Sequence, residues 1–317
     1  MQLTNKSSVV FYNLENFFDT IDDPKTADNP FTPKGFMHWI MKRYRNKAKK
    51  IGFVISQIGI KETQKPPVLI GLGEVENKSV LKDLIGSKHL KNIPYHYVHF
   101  ESADRRGMDV ALLYHKNHFE LLERKAYPLT LYTNEGKPYK SRDILYCKGL
   151  LQGESVHVLI NHWPSRREGD FESDHKRQLA SEQLREIINY IQYEEDDTKI
   201  IVMGDFNTDP TDKHITSEVV YTDFFNPSAQ LFDQNLGSLK HQKKWHLFDQ
   251  LIFSNNFRQA QNDKHYFSEM KIYRPAYLKT WHGKFKDVPF RTYKGNKYQG
   301  GYSDHFPVYA ILENKKS

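Results

Sequence analysis

Cysteine is almost absent from this sequence of 317 residues, which contains Cys147 alone. One cysteine cannot form an intrachain disulfide, so nothing in the sequence requires an oxidising compartment. Long apolar runs are also missing: no stretch of about 18 apolar residues could span a membrane, and the first residues lack the apolar core of a signal peptide. We therefore expect a cytoplasmic protein without stable membrane association and, by default, a monomer.

A strong excess of charge of one sign is missing as well. Lys and Arg number 46 and Asp and Glu 39, which gives a formal net charge of +7. Aromatic residues make up 14% of the chain, whereas disordered chains contain few of them. Internal repeats and low-complexity linkers are not seen, so we expect a single domain over 1–317. The modest positive charge favours an anionic partner but says nothing about the fold.

Short β-branched or apolar runs alternate with stretches of helical periodicity. Within 174–192, Leu184, Ile188 and Ile191 recur at the spacing of one apolar helix face. Helices are predicted over 36–58, 77–86 and 174–192, and strands over 8–14, 67–72, 93–100, 108–114, 155–161, 199–203, 247–253 and 306–312. This mixture predicts an α/β protein with sheets inside and helices outside. The irregular segment 261–302 is predicted to be a long functional loop or insertion.

Carboxylate, amide and imidazole side chains stand where the predicted strands begin or end. They are Asn13, Glu15, Glu74, Asn161, His162, Asp205, Asn207, Asp249, Asp304 and His305. In layered α/β folds such positions share an edge at which ligands bind, so we expect these side chains to converge. Carboxylates with few soft ligands suit Mg²⁺ or Mn²⁺ better than Zn²⁺. Without a nucleophilic Ser or Cys motif, they favour metal-assisted attack by water.

Each of these features also has a purely structural interpretation when it is taken alone. Gly204-Asp205-Phe206-Asn207 could be an ordinary turn, because Gly, Asp and Asn favour turns. The histidines before Trp163-Pro164 and Phe306-Pro307 could be packed histidines. Asp249 is harder to explain in this way, since it lies in the apolar run 247–253 and a buried carboxylate needs a partner. A histidine is the natural candidate.

Taken together and in this order, the motifs resemble the endonuclease/exonuclease/phosphatase superfamily, whose fold is that of pancreatic deoxyribonuclease I. The resemblance runs over 9–312. Its motifs are Tyr12-Asn13-Leu14-Glu15-Asn16, Leu72-Gly73-Glu74, Arg106-Gly107-Met108-Asp109-Val110-Ala111-Leu112-Leu113-Tyr114, Asn161-His162-Trp163-Pro164-Ser165-Arg166, Gly204-Asp205-Phe206-Asn207, Phe248-Asp249-Gln250-Leu251 and Ser303-Asp304-His305-Phe306-Pro307-Val308. It implies a four-layer sandwich of two packed mixed β-sheets flanked by helices. It also implies divalent-metal-dependent cleavage of a phosphate ester.

The resemblance implies a metal site for Mg²⁺ or Mn²⁺. Glu74 matches the principal metal ligand, with Asn13 and Glu15 beside it and Asp304 contributed by the last motif. Many members of the family have Gln before the metal-binding Glu. Here that position is Gly73, which leaves the ligand itself intact.

The resemblance also implies a catalytic set. Asp205 and Asn207 match the pair that orients the attacking water and the scissile phosphate. His305 matches the catalytic histidine, with Asp249 hydrogen-bonded to its ring. Whether His305 or Asp205 takes the proton is left open.

Further positions are expected to contact the substrate or to orient a group that does. His162 resembles the second histidine of the deoxyribonuclease-like branch and is expected to contact a phosphate oxygen, with Asp109 orienting its ring. Arg106 and Arg166 stand beside site motifs, and Arg291 lies in the irregular segment. We expect these three arginines to bind the phosphate ester.

The 271–302 stretch is basic and aromatic. Eight Lys or Arg residues stand there against one Asp, interleaved with eight aromatic residues. It could guide an anionic substrate and offer faces for bases to stack on. It could equally be a solvated loop anchored by buried rings. The cationic stretch 42–50 is predicted to be the solvated face of a helix.

Three functions remain open at this point. The first is a metal-dependent phosphodiester hydrolase, most simply an endonuclease or exonuclease on DNA or RNA. The second is the same chemistry on a small phosphate ester, such as a nucleotide or a phospholipid headgroup. The third is a non-catalytic nucleic-acid-binding module, which the acids and histidines disfavour because binding a phosphate would not need them. The pair Asn161-His162 points away from abasic-site repair, and Phe206-Asn207 away from the inositol-phosphate branch.

Overall fold

The computed structural model describes residues 5–132, 135–165 and 170–315. The strands are β1 (Lys6–Phe17), β2 (Leu69–Val75), β3 (Tyr95–His99), β4 (Asp109–His115), β5 (Phe119–Tyr127), β6 (Thr130–Tyr132), β7 (Pro138–Lys140), β8 (Ile144–Leu151), β9 (Glu154–His162), β10 (Lys199–Asp205), β11 (Phe224–Phe225), β12 (Leu239–His241), β13 (Lys244–His246), β14 (Asp249–Ser254), β15 (His265–Ile272), β16 (Tyr293–Lys294), β17 (Lys297–Tyr298) and β18 (Val308–Asn314). The helices are α1 (Met41–Gln57), α2 (Ile60–Thr63), α3 (Lys78–Ile85), α4 (Asp170–Glu194) and α5 (Ser228–Asp233), with a π-helical turn at His214–Val220.

Two six-stranded mixed sheets share one pairing pattern. The first has the order β15-β18-β1-β2-β4-β3 and the second the order β11-β14-β10-β9-β8-β5. In each, a parallel pair (β1 with β2, β9 with β10) is flanked by antiparallel neighbours. The ends of the parallel strands therefore share an edge with the starts of the antiparallel strands beside them.

Alternation of side chains along the strands separates three layers of core. In β1, Val9 and Phe11 face the second sheet, whereas Val10 and Tyr12 face α1 and α3. Helix α4 covers the outer face of the second sheet with Leu184 and its apolar neighbours. Successive strand side chains point to opposite faces, so each sheet is buried on both sides. The predicted four-layer sandwich of two sheets between helices is confirmed.

Every predicted strand and helix is present, with boundary differences. Asn77 caps α3, as its position suggested, because its Oδ1 accepts hydrogen bonds from the Ser79 and Val80 amides at 2.8 and 3.1 Å.

Strands β5 and β8 were not predicted. Strand β5 lies at the edge of its sheet and exposes most of its charged side chains, so it lacks the apolar signal of a buried strand.

Two sequence predictions need correction. The segment 261–302 is not a loop from its start, because His265–Ile272 forms β15 and pairs with β18 through an irregular register. In the cationic stretch 42–50, Lys47 is not solvated: it is 1% exposed. It follows Tyr44 by three residues and therefore lies on the buried face of α1.

None of the described helices combines the length and the apolar composition needed to cross a membrane.

Candidate active site

The ends of β1 and β2 are bent where the two strands leave their regular pairing. Asn13 pairs with Gly73 and Phe17 with Val75, so three residues of β1 lie opposite the single residue Glu74. Bulges of this kind redirect side chains at the end of a sheet. Glu15, Asn16 and Glu74 all have a positive φ, between 52° and 59°. This left-handed backbone costs free energy and is concentrated at functional sites.

His305 and Asp249 form a buried pair. Nδ1 of His305 lies 2.6 Å from Oδ2 of Asp249, which is completely buried at the start of β14. Burial alone would lower the pKa of His305, but the carboxylates of Asp249, Asp205 and Asp304 outweigh it and raise that pKa well above its ordinary value. The predicted hydrogen bond between Asp249 and the His305 ring is therefore present in the structure.

Asp205, at the end of β10, connects the two sheets. Its Oδ2 accepts a hydrogen bond from Nδ2 of Asn13 at 3.0 Å, and its Oδ1 accepts one from the Asn207 amide at 3.0 Å. Nε2 of His162 lies 3.7 Å from the same Oδ2. Burial and the charge of Asp249 raise the pKa of Asp205 to about 6. Residues predicted from separate motifs thus form one cluster.

Asn13 links this cluster to the residues predicted to bind metal. Its Oδ1 accepts a hydrogen bond from the Glu15 amide at 2.9 Å, and its backbone carbonyl accepts one from Ser303 Oγ at 2.6 Å. Ser303 Oγ in turn accepts a hydrogen bond from the His305 amide at 3.1 Å. The loop before β18 is therefore fixed against the end of β1.

Glu15 holds the segment after residue 290 against the site. Its carboxylate accepts backbone hydrogen bonds from Thr292 at 2.5 Å and Tyr293 at 3.3 Å. Burial and the charge of Asp304 raise the pKa of Glu15 to about 7, against the opposing effect of Lys47. Both carboxylate oxygens are thus engaged by the protein itself, which sets Glu15 apart from Glu74, where only Oε2 accepts a hydrogen bond from the described residues.

Lys47 is a site residue that the sequence interpretation missed. Its Nζ donates hydrogen bonds to the backbone carbonyl of Glu15 and, at 2.7 Å, to Thr292 Oγ1. Burial lowers the pKa of Lys47, although Glu15, Asp304 and Glu74 oppose the shift. The available signal was a lysine at a position on the apolar face of α1, where a buried charge requires a partner.

Asp109 does not orient His162 as predicted. Its Oδ2 lies 3.1 Å from Nε2 of His99, and its Oδ1 accepts hydrogen bonds from the amide and the hydroxyl of Ser102 at 3.1 and 2.5 Å. Nδ1 of His162 has no hydrogen-bond partner among the described residues. Both oxygens of Asp109 are engaged by its own neighbouring strand and loop, which explains the difference.

Arg142 supports His162 instead, and no motif had singled it out. This buried side chain donates from Nε to the carbonyl of His162 and from Nη2 to the carbonyl of Trp163, both at 3.0 Å. Burial, with the charges of Arg142 and Arg106, holds the pKa of His162 well below its ordinary value. The only sequence signal was an arginine just ahead of the apolar strand β8.

The three arginines predicted to bind substrate lie in different settings. Arg106 is 38% exposed on its side chain and lies 3.9 Å from Asp104. Arg291 donates to Oδ2 of Asp304 at 2.5 Å and lies 3.7 Å from Oε1 of Glu15. Arg166 falls outside the residues that the structure describes. Arg291 is thus placed at the carboxylates of the predicted metal site, and Arg106 near His162.

The donor chemistry of the site fits a hard divalent cation. Oε2 of Glu74 accepts a hydrogen bond from the Asn16 amide at 2.6 Å, and none of the described residues engages the second oxygen. Asp304 presents Oδ1 4.0 Å from Nε2 of His305. Mg²⁺ commonly takes one or two protein carboxylates and completes its shell with water and substrate phosphate. Glu74 and Asp304 can supply that number.

A second group of possible ligands lies deeper. Ligand atoms of Asp205, Asp249 and His305 lie within 4.8 Å of one another. The hydrogen bond of 2.6 Å between His305 and Asp249 already occupies one of these atoms on each residue. This group is therefore already paired within the protein, whereas Glu74 keeps one carboxylate oxygen without a partner among the described residues.

The sequence matches the model of the Endonuclease/Exonuclease/phosphatase family over residues 8–314. No curated protein matches it significantly. Among solved structures, similar folds include a humanized TDP2 of D. rerio, with a TM-score of 0.60 and 13% identity over 98% of this chain and 100% of that one. Another is D. rerio TDP2 complexed with single strand DNA product, with a TM-score of 0.58 and 14% identity over 98% and 99%. A mannosyl-6-phosphatase from Bacteroides thetaiotaomicron has a TM-score of 0.57 and 15% identity over 96% and 99%.

Proposed function

Because this chain belongs to the Endonuclease/Exonuclease/phosphatase family, whose members hydrolyse phosphoesters, we propose that it is a phosphodiester hydrolase dependent on Mg²⁺ or Mn²⁺. The observation that carries the proposal is the convergence of the two sheets on one cluster. Nδ1 of His305 lies 2.6 Å from Oδ2 of Asp249, and Nδ2 of Asn13 donates a hydrogen bond to Oδ2 of Asp205 at 3.0 Å. A phosphodiester is attacked slowly because it is an anion, and a fixed cluster of charged groups lowers that barrier.

In this proposal His305 acts as a cation. Asp249 holds Nδ1, so the proton on Nε2 is available to a phosphate oxygen in the transition state. Asp205 is then the group that accepts the proton of the attacking water. Its two hydrogen bonds, from Asn13 and Asn207, fix the orientation of its carboxylate. Asn207 itself donates to the Trp163 carbonyl at 2.9 Å, which holds it in place.

Glu74 and Asp304 are the residues that would hold the cation, with Asn13 beside them. When bound, the cation would neutralise charge on a phosphate oxygen as a Lewis acid. Arg291 bonds to one of these carboxylates and can turn to the phosphate, and the partly exposed Arg106 can approach the phosphate from the side of His162. Thus acids and cations of the chain itself surround the proposed phosphate position.

Nucleic acid is the substrate class we favour. Lys286, Lys294 and Lys297 are exposed on either side of Arg291, against the single exposed acid Asp287 in that stretch, and a long anionic substrate would follow such a surface. A small phosphate ester, such as a nucleotide, a phospholipid headgroup or a sugar phosphate, is the second candidate. It is supported by the likeness to a mannosyl-6-phosphatase. A non-catalytic binding module is disfavoured because the buried His305–Asp249 pair serves no purpose in binding alone.

The test is a hydrolysis assay on four substrates: supercoiled DNA, single-stranded DNA, RNA and a generic chromogenic phosphodiester. Each is assayed with Mg²⁺, with Mn²⁺ and with EDTA, using Asp205→Ala as the blank. We expect metal-dependent cleavage by the wild-type chain and none by the variant. Cleavage of the chromogenic ester alone would move the assignment to the second candidate. Equal activity with EDTA, or with Asp205→Ala, would overturn the proposal.

A further inference from the structure

Aromatic residues in the basic segment fall into two groups. Tyr293 is buried, and Tyr273, Tyr277, Tyr298 and Tyr302 are partly buried against the core of the first sheet. These rings anchor the segment. Phe290 is partly buried and its ring centroid lies 6.5 Å from that of Tyr302, so it belongs with these anchoring rings. The other two rings are exposed: the Trp281 residue by 80% and the Phe285 residue by 44%.

The two exposed rings lie on a short projection from the site, formed by residues 279–290. Its base is closed by an antiparallel bridge between Lys279 and Pro289 and by the Phe290 amide, which donates to the Leu278 carbonyl at 2.8 Å. Higher up, the Thr280 amide donates to the Val288 carbonyl at 2.8 Å. The projection is therefore held by backbone hydrogen bonds.

The projection begins next to the proposed catalytic cluster. Arg291 follows it directly and bonds to Asp304. Lys294 stands three residues after Arg291, a span of at most about 10 Å, and its Nζ lies 3.9 Å from the ring centroid of Phe285. The Phe285 ring is therefore close in space to the segment that carries Arg291.

The surface around the exposed rings is cationic. Nζ of Lys294 lies 3.9 Å from the ring centroid of Phe285, and Lys286, Lys294 and Lys297 are all exposed. Lys42, Arg45 and Lys49 are exposed on α1, whose Arg43 packs 4.4 Å from the Tyr298 ring of the same segment. Exposed rings among cations match single-stranded nucleic acid, because unpaired bases offer faces that a duplex hides.

We propose that Trp281 and Phe285 form a stacking platform for unpaired bases of single-stranded nucleic acid, with the phosphate chain held by Lys286, Lys294 and Lys297. This deepens the proposed function and rests on it for the position of the scissile phosphate. Base stacking on aromatic side chains tolerates any sequence. The platform therefore predicts a preference for single strands over duplexes and little preference among bases.

The binding test uses an oligothymidylate of ten nucleotides and a duplex of equal length, in EDTA so that no cleavage occurs. We expect Trp281→Ala to bind the oligothymidylate about 5- to 100-fold more weakly than the wild type. Tyr193→Ala, which removes an 85% exposed ring from α4 on the other side of the molecule, serves as the control and should bind like the wild type. In the double variant Lys294→Met/Lys297→Met, the slope of log K for oligothymidylate binding against log salt concentration should be smaller by about 1.4.

Fluorescence supplies a readout that does not depend on activity. Of the four tryptophans, Trp39 and Trp163 are buried and Trp245 is partly buried. Quenching of tryptophan fluorescence by the oligonucleotide should therefore come from the exposed Trp281 and disappear in Trp281→Ala. Unchanged affinity or unchanged quenching in that variant would overturn the platform.

The chromogenic phosphodiester separates the two proposals. This small ester carries no base to stack on the rings, so its hydrolysis by the wild-type chain reports on the catalytic cluster alone. Metal-dependent hydrolysis of the ester without binding of the oligonucleotide would refute the platform and leave the proposed function standing. Binding and quenching without hydrolysis of any substrate would refute the proposed function instead.

Discussion

Charged side chains buried at the strand ends determine how this site works. Lys47 is 1% exposed and Asp249 is completely buried, yet each has a partner of opposite charge or a hydrogen-bond acceptor. Taking such groups out of water is expensive, so their pairs constrain one another strongly. Individual substitutions should therefore have large and distinguishable effects.

Asp249→Asn should reduce kcat on a phosphodiester by about 100-fold or more. The amide keeps the shape of the carboxylate but no longer favours a protonated His305 ring. The measurement is kcat in Mg²⁺, with thermal unfolding as a check on folding. Asp174→Asn is the matched control, since it breaks an Asp–His pair of 2.8 Å with His214 on the outer side of the second sheet. A kcat for Asp249→Asn as high as that of Asp174→Asn would contradict the role of this pair.

Lys47→Met should lower the free energy of unfolding by about 3 kcal/mol. Methionine fills the space but leaves the Glu15 carbonyl and the Thr292 hydroxyl without their donor. Urea unfolding measures the change, and Lys49→Met, at an exposed position of the same helix, should leave stability nearly unchanged. Equal stabilities of the two variants would show that Lys47 is not the buried support described above.

The contrast between predicted and missed residues has a physical basis. Asp205, Asp249 and His305 could be found in the sequence because each stands at a strand end inside a characteristic motif. Arg142 and Lys47 offered only their positions beside or among apolar residues as a signal, because their functions come from carbonyl groups that other segments bring to them. A sequence does not display which backbone carbonyl will lie beside a distant cation.

At the scale of elements, close contact between strands positions the site. Gly204 stands just before Asp205 in β10, where a Cβ atom would lie 2.4 Å from the Asn161 carbonyl oxygen of β9. Only glycine allows this approach, which brings His162 and Asp205 to the same place. The sequence showed this glycine only as part of a turn-like motif. The Asn161 carbonyl comes to face it because β9 and β10 pair in parallel, which the sequence does not show.

Gly204→Ala should destabilise the protein by about 1–3 kcal/mol and also reduce phosphodiesterase activity. The added methyl group must push β9 and β10 apart at their site ends. Urea unfolding and kcat are measured together, with Gly86→Ala at the end of α3 as the control, because its φ of −76° suits alanine. Wild-type stability of Gly204→Ala would contradict the close approach.

Across the molecule, a second buried network joins the sheets at the edge away from the site. Glu154, at the start of β9, accepts hydrogen bonds from the amide and the ring of His265 in β15 at 2.7 and 2.8 Å. Lys199, at the start of β10, lies 3.0 Å from the same carboxylate. The sequence predicted β9 and β10 but not β15, and the ion network between the sheets depends on packing that periodicity does not reveal.

The stability of wild-type protein should therefore depend on pH through Glu154. Burial alone would raise the pKa of Glu154, but the bonds from His265 and Lys199 outweigh it and lower that pKa below its ordinary value near 4.5. The stabilisation is then complete above that value and is lost as the pH falls through the folded-state pKa. Glu154→Gln should be less stable by about 3 kcal/mol at pH 7, and the difference should shrink below pH 4. Urea unfolding at pH 7, 5 and 3.5 tests this, and a constant difference would contradict it.

The central claim is that residues from both sheets form one metal-dependent phosphoesterase centre. Its most direct test is kcat/KM on a chromogenic phosphodiester in Mg²⁺ or Mn²⁺ for Glu74→Ala from the first sheet, Asp205→Ala from the second, and the double variant. We predict that each single variant loses about 1000-fold or more and that the double variant loses little beyond the worse single one, since the residues act as a unit. Near wild-type activity in either single variant, or losses that multiply in the double variant, would contradict a shared centre.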